Sequence, residues 1–219
     1  MPADRRPRPP SCHGPPIRRL DRAELRRRRR AAESQIISKY IDSAAGASIF
    51  HDRHGKPFLL SSALRISLSD TNGLLALAIS SGDVIGVDIE ADVPTPDALI
   101  ISQCFFSERE TEALAALRGR DRDRAFLFSW TLKEAALKAV GSGLMAPLDS
   151  VITTVHPRPG GQVRLITLAT PPWPQPPQRG FSFQCSGLLG AVVGGPEKWR
   201  IIETRWKGHL NRVEAAEAR

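Results

Sequence analysis

Between Leu64 and Ile89 the chain runs through three short apolar stretches separated by two tight-turn signals, and no other segment limits the possible folds as strongly. Leu64–Leu68 alternates apolar and polar residues, as a half-buried strand does. Asn72-Gly73 supplies a turn, Leu74–Ile79 is a continuous apolar run, Ser81-Gly82-Asp83 supplies a second turn, and Val84–Ile89 is apolar again. Short strands joined this way fit antiparallel hairpins. Helical periodicity follows. Ser107 with Glu110 three residues on opens "SERETEALAALR" with a capping-box signature, and a longer helix is predicted from Asp123 to about Val140, stopped by Gly141 and Gly143. The last third returns to strands at Val151–Val155, Val163–Ala169, Phe181–Val193 and Trp199–Thr204, interrupted by five prolines between Pro171 and Pro177. A loop is predicted over Asp42–Phe58, and no internal repeat is visible. Strands, then helices, then strands predict an α+β fold with antiparallel sheets.

Ahead of this body sits nearly all of the excess charge. The 219 residues carry a net charge of +8. Residues 1–30 hold 11 arginines against Asp4, Asp21 and Glu24, while the rest of the chain has 20 basic and 20 acidic side chains. Six of the first 16 residues are proline, so residues 1–16 read as a disordered, polyproline-like tail. From Asp21 onward helix formers dominate, with Leu25, Ile36, Ile37 and Tyr40 as a narrow apolar stripe. Arg26–Arg30 go all round such a helix. They read either as a solvated basic face or a nucleic-acid-attracting arm, or as the source of one or two phosphate contacts to a small ligand. The organisation predicted is a tail at 1–16, an N-terminal half at 17–83 and a C-terminal half at 84–219.

Several classes are excluded. No run approaches the ~18–20 apolar residues of a membrane-crossing helix. Cys12, Cys104 and Cys185 are scattered and show no paired spacing, and the five histidines form no ligand cluster, which argues against a disulfide scaffold and against zinc. The basic N-terminus lacks the apolar stretch of a secretory signal. A reduced, cytoplasmic protein is the expectation.

Two segments carry candidate chemistry. In "GVDIE" Asp88 and Glu90 are two apart on a strand, so both carboxylates leave one face while Val87 and Ile89 point to the other. Side-by-side carboxylates repel unless solvated or bridged by a cation, and oxygen ligands of this kind suit Mg²⁺. In "WTLKEAALKAVGSGL" Glu134 and Lys138 lie one helical turn apart on a shared face, with Lys133 beside them. This is either a third carboxylate for a metal with ammonium groups where phosphates would lie, or an ordinary surface pair worth ~0.3–0.5 kcal/mol.

"GVDIE" (Gly86–Glu90) followed by "WTLKEAALKAVGSGL" (Trp130–Leu144) resembles the paired signature of the Sfp-type 4′-phosphopantetheinyl transferases, G-[VI]-D-[VI]-E and W-[ST]-x-K-E-A-x-x-K-x-x-G-x-G-L. "FFSERETEAL" (Phe105–Leu114) matches the intervening helix start, and "GKP" (Gly55–Pro57) and Ile66–Ser80 match upstream motifs more loosely. The resemblance implies a pseudo-dimer of two similar α+β halves in one chain, a monomer with the active site in the cleft between them. It implies transfer of the phosphopantetheine arm of coenzyme A to a serine of an apo acyl or peptidyl carrier protein, with release of 3′,5′-ADP. The motif matches put Mg²⁺ on Asp88, Glu90 and Glu134, the pyrophosphate on Lys138 and Lys133, and the nucleotide's 3′-phosphate near Lys56. Glu134 is the first candidate for the base that takes the serine proton.

Two departures stand out. Where the family has S-H-[ST], this chain has Ser69-Asp70-Thr71; the family's histidine helps hold the 3′-phosphate, and an aspartate repels an anion. Either the N-terminal arginines compensate, or Asp70 does another job, or coenzyme A binding is weakened. The second is the N-terminus: where the family begins with a strand and a longer basic-aromatic helix region, this chain has a proline-rich tail and "RAELRRRRRAAESQIIS", so the family's phosphate-binding arginine falls within Arg26–Arg30, with Arg26 and Arg30 as candidates. Three readings therefore stand: an active transferase, a weakened member that binds coenzyme A or carrier without turnover, and a nucleic-acid-binding protein led by the arginine arm.

Overall fold

Asn72 and Gly73 both lie at positive φ, 49° and 77°, the left-handed backbone that a two-residue hairpin turn requires. The strands on either side pair antiparallel in register from Arg65–Ser80 to Thr71–Leu74. The computed structural model describes residues 22–40, 48–60, 62–82, 84–141, 146–158, 161–164, 166–167, 179–195, 202–206 and 213–217. The tail at 1–16, Gly143 and the stretch at 171–177 lie outside the described residues. In chain order the elements are α1 (Arg22–Ile37), β1 (Ile49–His51), β2 (Pro57–Leu59), β3 (Arg65–Thr71), β4 (Leu74–Ser80), β5 (Ile85–Ala91), α2 (Ala98–Phe105), α3 (Glu108–Ala115), α4 (Gly119–Val140), β6 (Val151–Ile152), β7 (Gly161–Arg164), β8 (Ile166–Thr167), β9 (Arg179–Cys185), β10 (Leu188–Gly194), β11 (Ile202–Trp206) and β12 (Val213–Glu217).

The fold is α+β with antiparallel sheets, as the sequence predicts. One sheet has the order β1-β2-β3-β4 and a second the order β5-β10-β9-β7; β6-β8 and β11-β12 form small pairs. The two larger sheets meet where β5, an edge strand, runs beside β3. Edge N–H groups need partners, and here two serines of β3 provide them. Val87 N–H donates to Ser67 Oγ at 3.0 Å and Ile89 N–H to Ser69 Oγ at 3.3 Å. The matching two-residue steps show that β3 and β5 run in the same direction at this seam.

Some elements depart from expectation. The single strand predicted over Phe181–Val193 is a hairpin of β9 and β10, turned at Ser186 and Gly187, whose φ values are 51° and 76°. The apolar residues on both sides hide the Ser-Gly turn in a reading by periodicity alone. The loop predicted over Asp42–Phe58 contains β1 and the start of β2. The sequence pattern predicts no separate helix at α2, because eight residues are too few to establish a period. Helix α4 begins at Gly119, earlier than predicted, because tertiary contacts hold its first turns. Arg120 pairs with Asp92, and Arg124 Nη2 lies 2.9 Å from the same carboxylate. The capping box at Ser107 and Glu110 is present as expected.

Helix α4 crosses the inner face of the second sheet. Leu132, Ala135, Ala136, Leu137 and Ala139 pack with Val151, Ala191 and Val193. Its first half joins Phe106, Leu114 and Leu189, with the Phe106 and Phe126 rings stacked at 5.4 Å. Helix α1 is seated on the first sheet by Ile37 against Leu59 and Ile66; Tyr40, the last residue of the predicted stripe, is exposed. Among the described residues no helix is long and apolar enough to cross a membrane.

Candidate functional site

Gly86 lets the helix reach the strand. A Cβ at this position would lie 1.8 Å from Ala135 O and 2.7 Å from Ala139 N, so β5 and α4 touch backbone to backbone. Only glycine opposite an alanine-lined helix face permits that approach. It brings Glu134 and Lys138 of α4 to Asp88 and Glu90 of β5, although the two segments are some forty residues apart in sequence.

Asp88 is buried, and its Oδ1 accepts from Lys138 Nζ at 2.6 Å and from Ser69 Oγ at 2.8 Å. Its Oδ2 is buried and, among the described residues, has no hydrogen-bond partner, an arrangement that costs ~1–3 kcal/mol when left unmet. Burial raises the Asp88 pKa, opposed by the Lys138 ammonium and the Ser69 hydroxyl. Burial also raises Glu90, reinforced by the negative charges of Asp88 and Glu134 and opposed by Lys138. Glu134 is raised by burial and then by Asp88. Three half-buried or buried carboxylates thus act on one another around a single lysine. Among the described residues no group of three or more His, Cys, Asp or Glu is arranged closely enough to hold a metal as it stands, and the balancing positive charge is that of Lys138. The donors nevertheless suit a hard divalent cation: they are carboxylates that repel one another, and one of them carries an orphaned oxygen.

The other candidates lie as follows. Lys133 does not face this cluster. It is wholly buried, pairs with Glu110 Oε2 at 2.9 Å, donates to Leu148 O at 3.1 Å and to Val151 O, and sits 4.6 Å from the Phe106 ring centroid. The expectation that it meets a phosphate is corrected, because every ammonium proton is already engaged on the α3 side of α4. Lys56 is half-buried and donates to Ala139 O in the last turn of α4, and burial lowers its pKa. It lines a cavity of about 360 Å³ with Asp52, Arg65 and the apolar Phe58, Leu64, Ile66 and Val84.

Asp70 is exposed and paired with Arg29, which also binds Glu33 at 2.6 Å. Within the five-arginine run Arg29 reaches β3 and Arg30 is exposed; the Arg26 and Arg28 side chains lie outside what is described. Sequence reasoning leaves Arg29 undistinguished within Arg26–Arg30, reads Glu110 only as a helix cap and gives Ser69 no part in the site. The Ser67-x-Ser69 alternation on a strand is the one signal that could have singled out the last.

Residues 84–179 match the profile of the 4′-phosphopantetheinyl transferase superfamily. The chain is 33% identical over 127 residues to 4′-phosphopantetheinyl transferase HetI of Nostoc sp., a match covering 56% of this chain and 53% of that protein. It is 32% identical over 126 residues to 4′-phosphopantetheinyl transferase ffp of Bacillus subtilis, covering 56% and 54%. It is 29% identical over 139 residues to the L-aminoadipate-semialdehyde dehydrogenase-phosphopantetheinyl transferase of Eremothecium gossypii, covering 56% and 50%. The matched region thus spans about half the length of these curated relatives.

Proposed function

We propose that this chain, which belongs to the 4′-phosphopantetheinyl transferase superfamily through residues 84–179, moves the phosphopantetheine arm of coenzyme A onto a serine of an apo acyl or peptidyl carrier protein. The observation that carries the reading is the meeting of Asp88, Glu90 and Glu134 around Lys138, with Asp88 Oδ2 buried and unpartnered. In this reading the three carboxylates hold Mg²⁺, and the ion, when bound, neutralises charge on the pyrophosphate as it grows in the transition state. Lys138 adds an ammonium for the same oxygens. The carrier serine oxygen forms a bond to the phosphorus that bears the pantetheine arm. The bond from that phosphorus to its bridging oxygen breaks, and 3′,5′-ADP departs with the electron pair. Glu134 takes the serine proton.

Lys56 and the cavity beside it receive the nucleotide end. The cavity's apolar walls suit a base, and Lys56 and Arg65 at its lining suit a phosphate. The sheet containing β3 and the sheet containing β5 would be the two halves of a pseudo-dimer, divided near residues 83 and 84, with coenzyme A between them. The test combines purified protein, coenzyme A, Mg²⁺ and a panel of apo carriers, read by mass for the gain of one phosphopantetheine group. Gain on at least one carrier, lost in Glu134→Gln, supports the reading. No gain on any carrier overturns it, and an unaffected Glu134→Gln rate removes Glu134 from the site. A second reading, binding of coenzyme A without transfer, draws on Asp70. Arg29 weakens that objection by neutralising the carboxylate, and a large rise in activity on Asp70→His would revive it.

A further inference from the structure

The two serines that cover the open edge of β5 are not equivalent. Ser67 Oγ accepts from Val87 N–H at 3.0 Å and, among the described residues, makes no bond to a carboxylate. Ser69 Oγ accepts from Ile89 N–H at 3.3 Å and also lies 2.8 Å from Asp88 Oδ1. A hydroxyl has one proton. With its lone pair taken by a backbone N–H, Ser69 has that proton left for Oδ1. Both partners of Ser69 belong to consecutive residues of β5, so the hydroxyl fixes the carboxylate relative to its own strand. Lys138 Nζ approaches the same Oδ1 at 2.6 Å. Oδ1 is therefore held from two sides, and Oδ2 is the oxygen left without a partner among the described residues.

We infer that Ser69 is a positioning residue: by tying Asp88 Oδ1 to the β3–β5 seam, it presents Oδ2 to the divalent cation. The inference rests on the acidic-centre reading above and goes beyond it by assigning a role to a residue that is not itself a ligand. Hydrogen-bonded supports of ligating carboxylates and imidazoles commonly change metal affinity by ~10–100-fold. The seam itself supplies the control, because Ser67→Ala removes the same kind of bond to β5 without touching Asp88.

The experiment measures Mn²⁺ binding to the full chain by the loss of the free-ion electron paramagnetic resonance signal, without substrate, alongside thermal melting. Expected are a dissociation constant raised about tenfold or more by Ser69→Ala, a change within about twofold for Ser67→Ala, and near wild-type binding for Ser69→Thr, which restores the hydroxyl. Ser69→Cys, close in volume but a weak donor, gives the same comparison if Ser69→Ala does not fold. Equal effects of Ser67→Ala and Ser69→Ala overturn the inference, because the serine would then serve only the seam. So does unchanged binding in Ser69→Ala. Wild-type protein that binds no Mn²⁺, with or without coenzyme A, overturns the acidic-centre reading itself, a result distinct from either of those.

Discussion

Replacing Lys133 by methionine should cost the fold about 3–5 kcal/mol, the usual consequence of removing one partner from a buried ion pair. The structure shows where that cost arises. The Lys133 ammonium is 0% exposed and Glu110 2% exposed, so neither charge can fall back on water. The ammonium also serves Leu148 O and Val151 O, which fastens the short turn over Leu148–Ser150 that leads into β6. Glu110 keeps its other donors, Ser107 N–H at 3.1 Å, Ser107 Oγ at 2.7 Å, Thr153 N–H at 2.8 Å and Thr153 Oγ1 at 2.8 Å. That retained shell places the expected value toward the lower end of the range. At a slope of about 2 kcal/mol/M, the urea midpoint should fall by about 1.5–2.5 M.

The pH dependence supplies a second readout. Burial pushes the Glu110 carboxyl up, but Lys133, Ser107 and Thr153 together bring it below its ordinary value of 4.5. A depressed carboxylate stabilises the fold above its unfolded pKa, and that contribution is lost as pH falls through the folded value. Wild-type stability should therefore drop below about pH 4.5, and Lys133→Met should flatten that drop. Glu110→Gln in the Lys133→Met background should cost less than the two single changes added together, by about 1–3 kcal/mol. If Lys133→Met unfolds at the wild-type urea concentration and instead loses coenzyme A in a calorimetric titration, the assignment of Lys133 to the core is wrong.

Gly86→Ala should destabilise by at least about 3 kcal/mol, because the added methyl meets helix backbone that cannot rotate away; a melting temperature near wild type would refute the close contact of β5 and α4. Glu134→Gln should raise the melting temperature of metal-free protein at neutral pH by about 1–3 °C. The Glu134 pKa is raised by burial and Asp88, so its stabilising contribution is full below its unfolded value and is lost as pH rises through the raised folded value, and a neutral side chain removes the cost. A lower melting temperature would contradict that sign. Arg29→Ala should change stability by less than about 1 kcal/mol, the range for an exposed pair, yet weaken coenzyme A binding by leaving Asp70 unbalanced. Asp70→Asn in that background should restore binding, whereas an Arg29→Ala titration matching wild type would show that the Asp70 charge does not reach the ligand.

The features legible in the sequence are those that depend on backbone periodicity and neighbouring residues. The capping box of Ser107 and Glu110 closes over three residues, and the Asn72-Gly73 turn is set by backbone allowed to adjacent positions. The common face of Asp88 and Glu90 follows from the two-residue period of a strand. The shared face of Glu134 and Lys138 follows from the helical turn. Even the antiparallel α+β class came from the order of such local patterns.

What a residue meets across the fold was decided elsewhere. Lys133 and Lys138 are the same residue type on the same helix, but five positions apart they point about 140° away from each other. Only the packing of α3 on one side and β5 on the other determines that one is a buried partner of Glu110 while its neighbour reaches Asp88. Likewise Arg29 cannot be chosen from five successive arginines until Ile37 seats α1 against Leu59 and Ile66, turning one guanidinium toward Asp70. Charge and hydroxyl positions are short-range chemistry, but the distances between them are set by which surfaces exclude water, and that is a property of the assembled core.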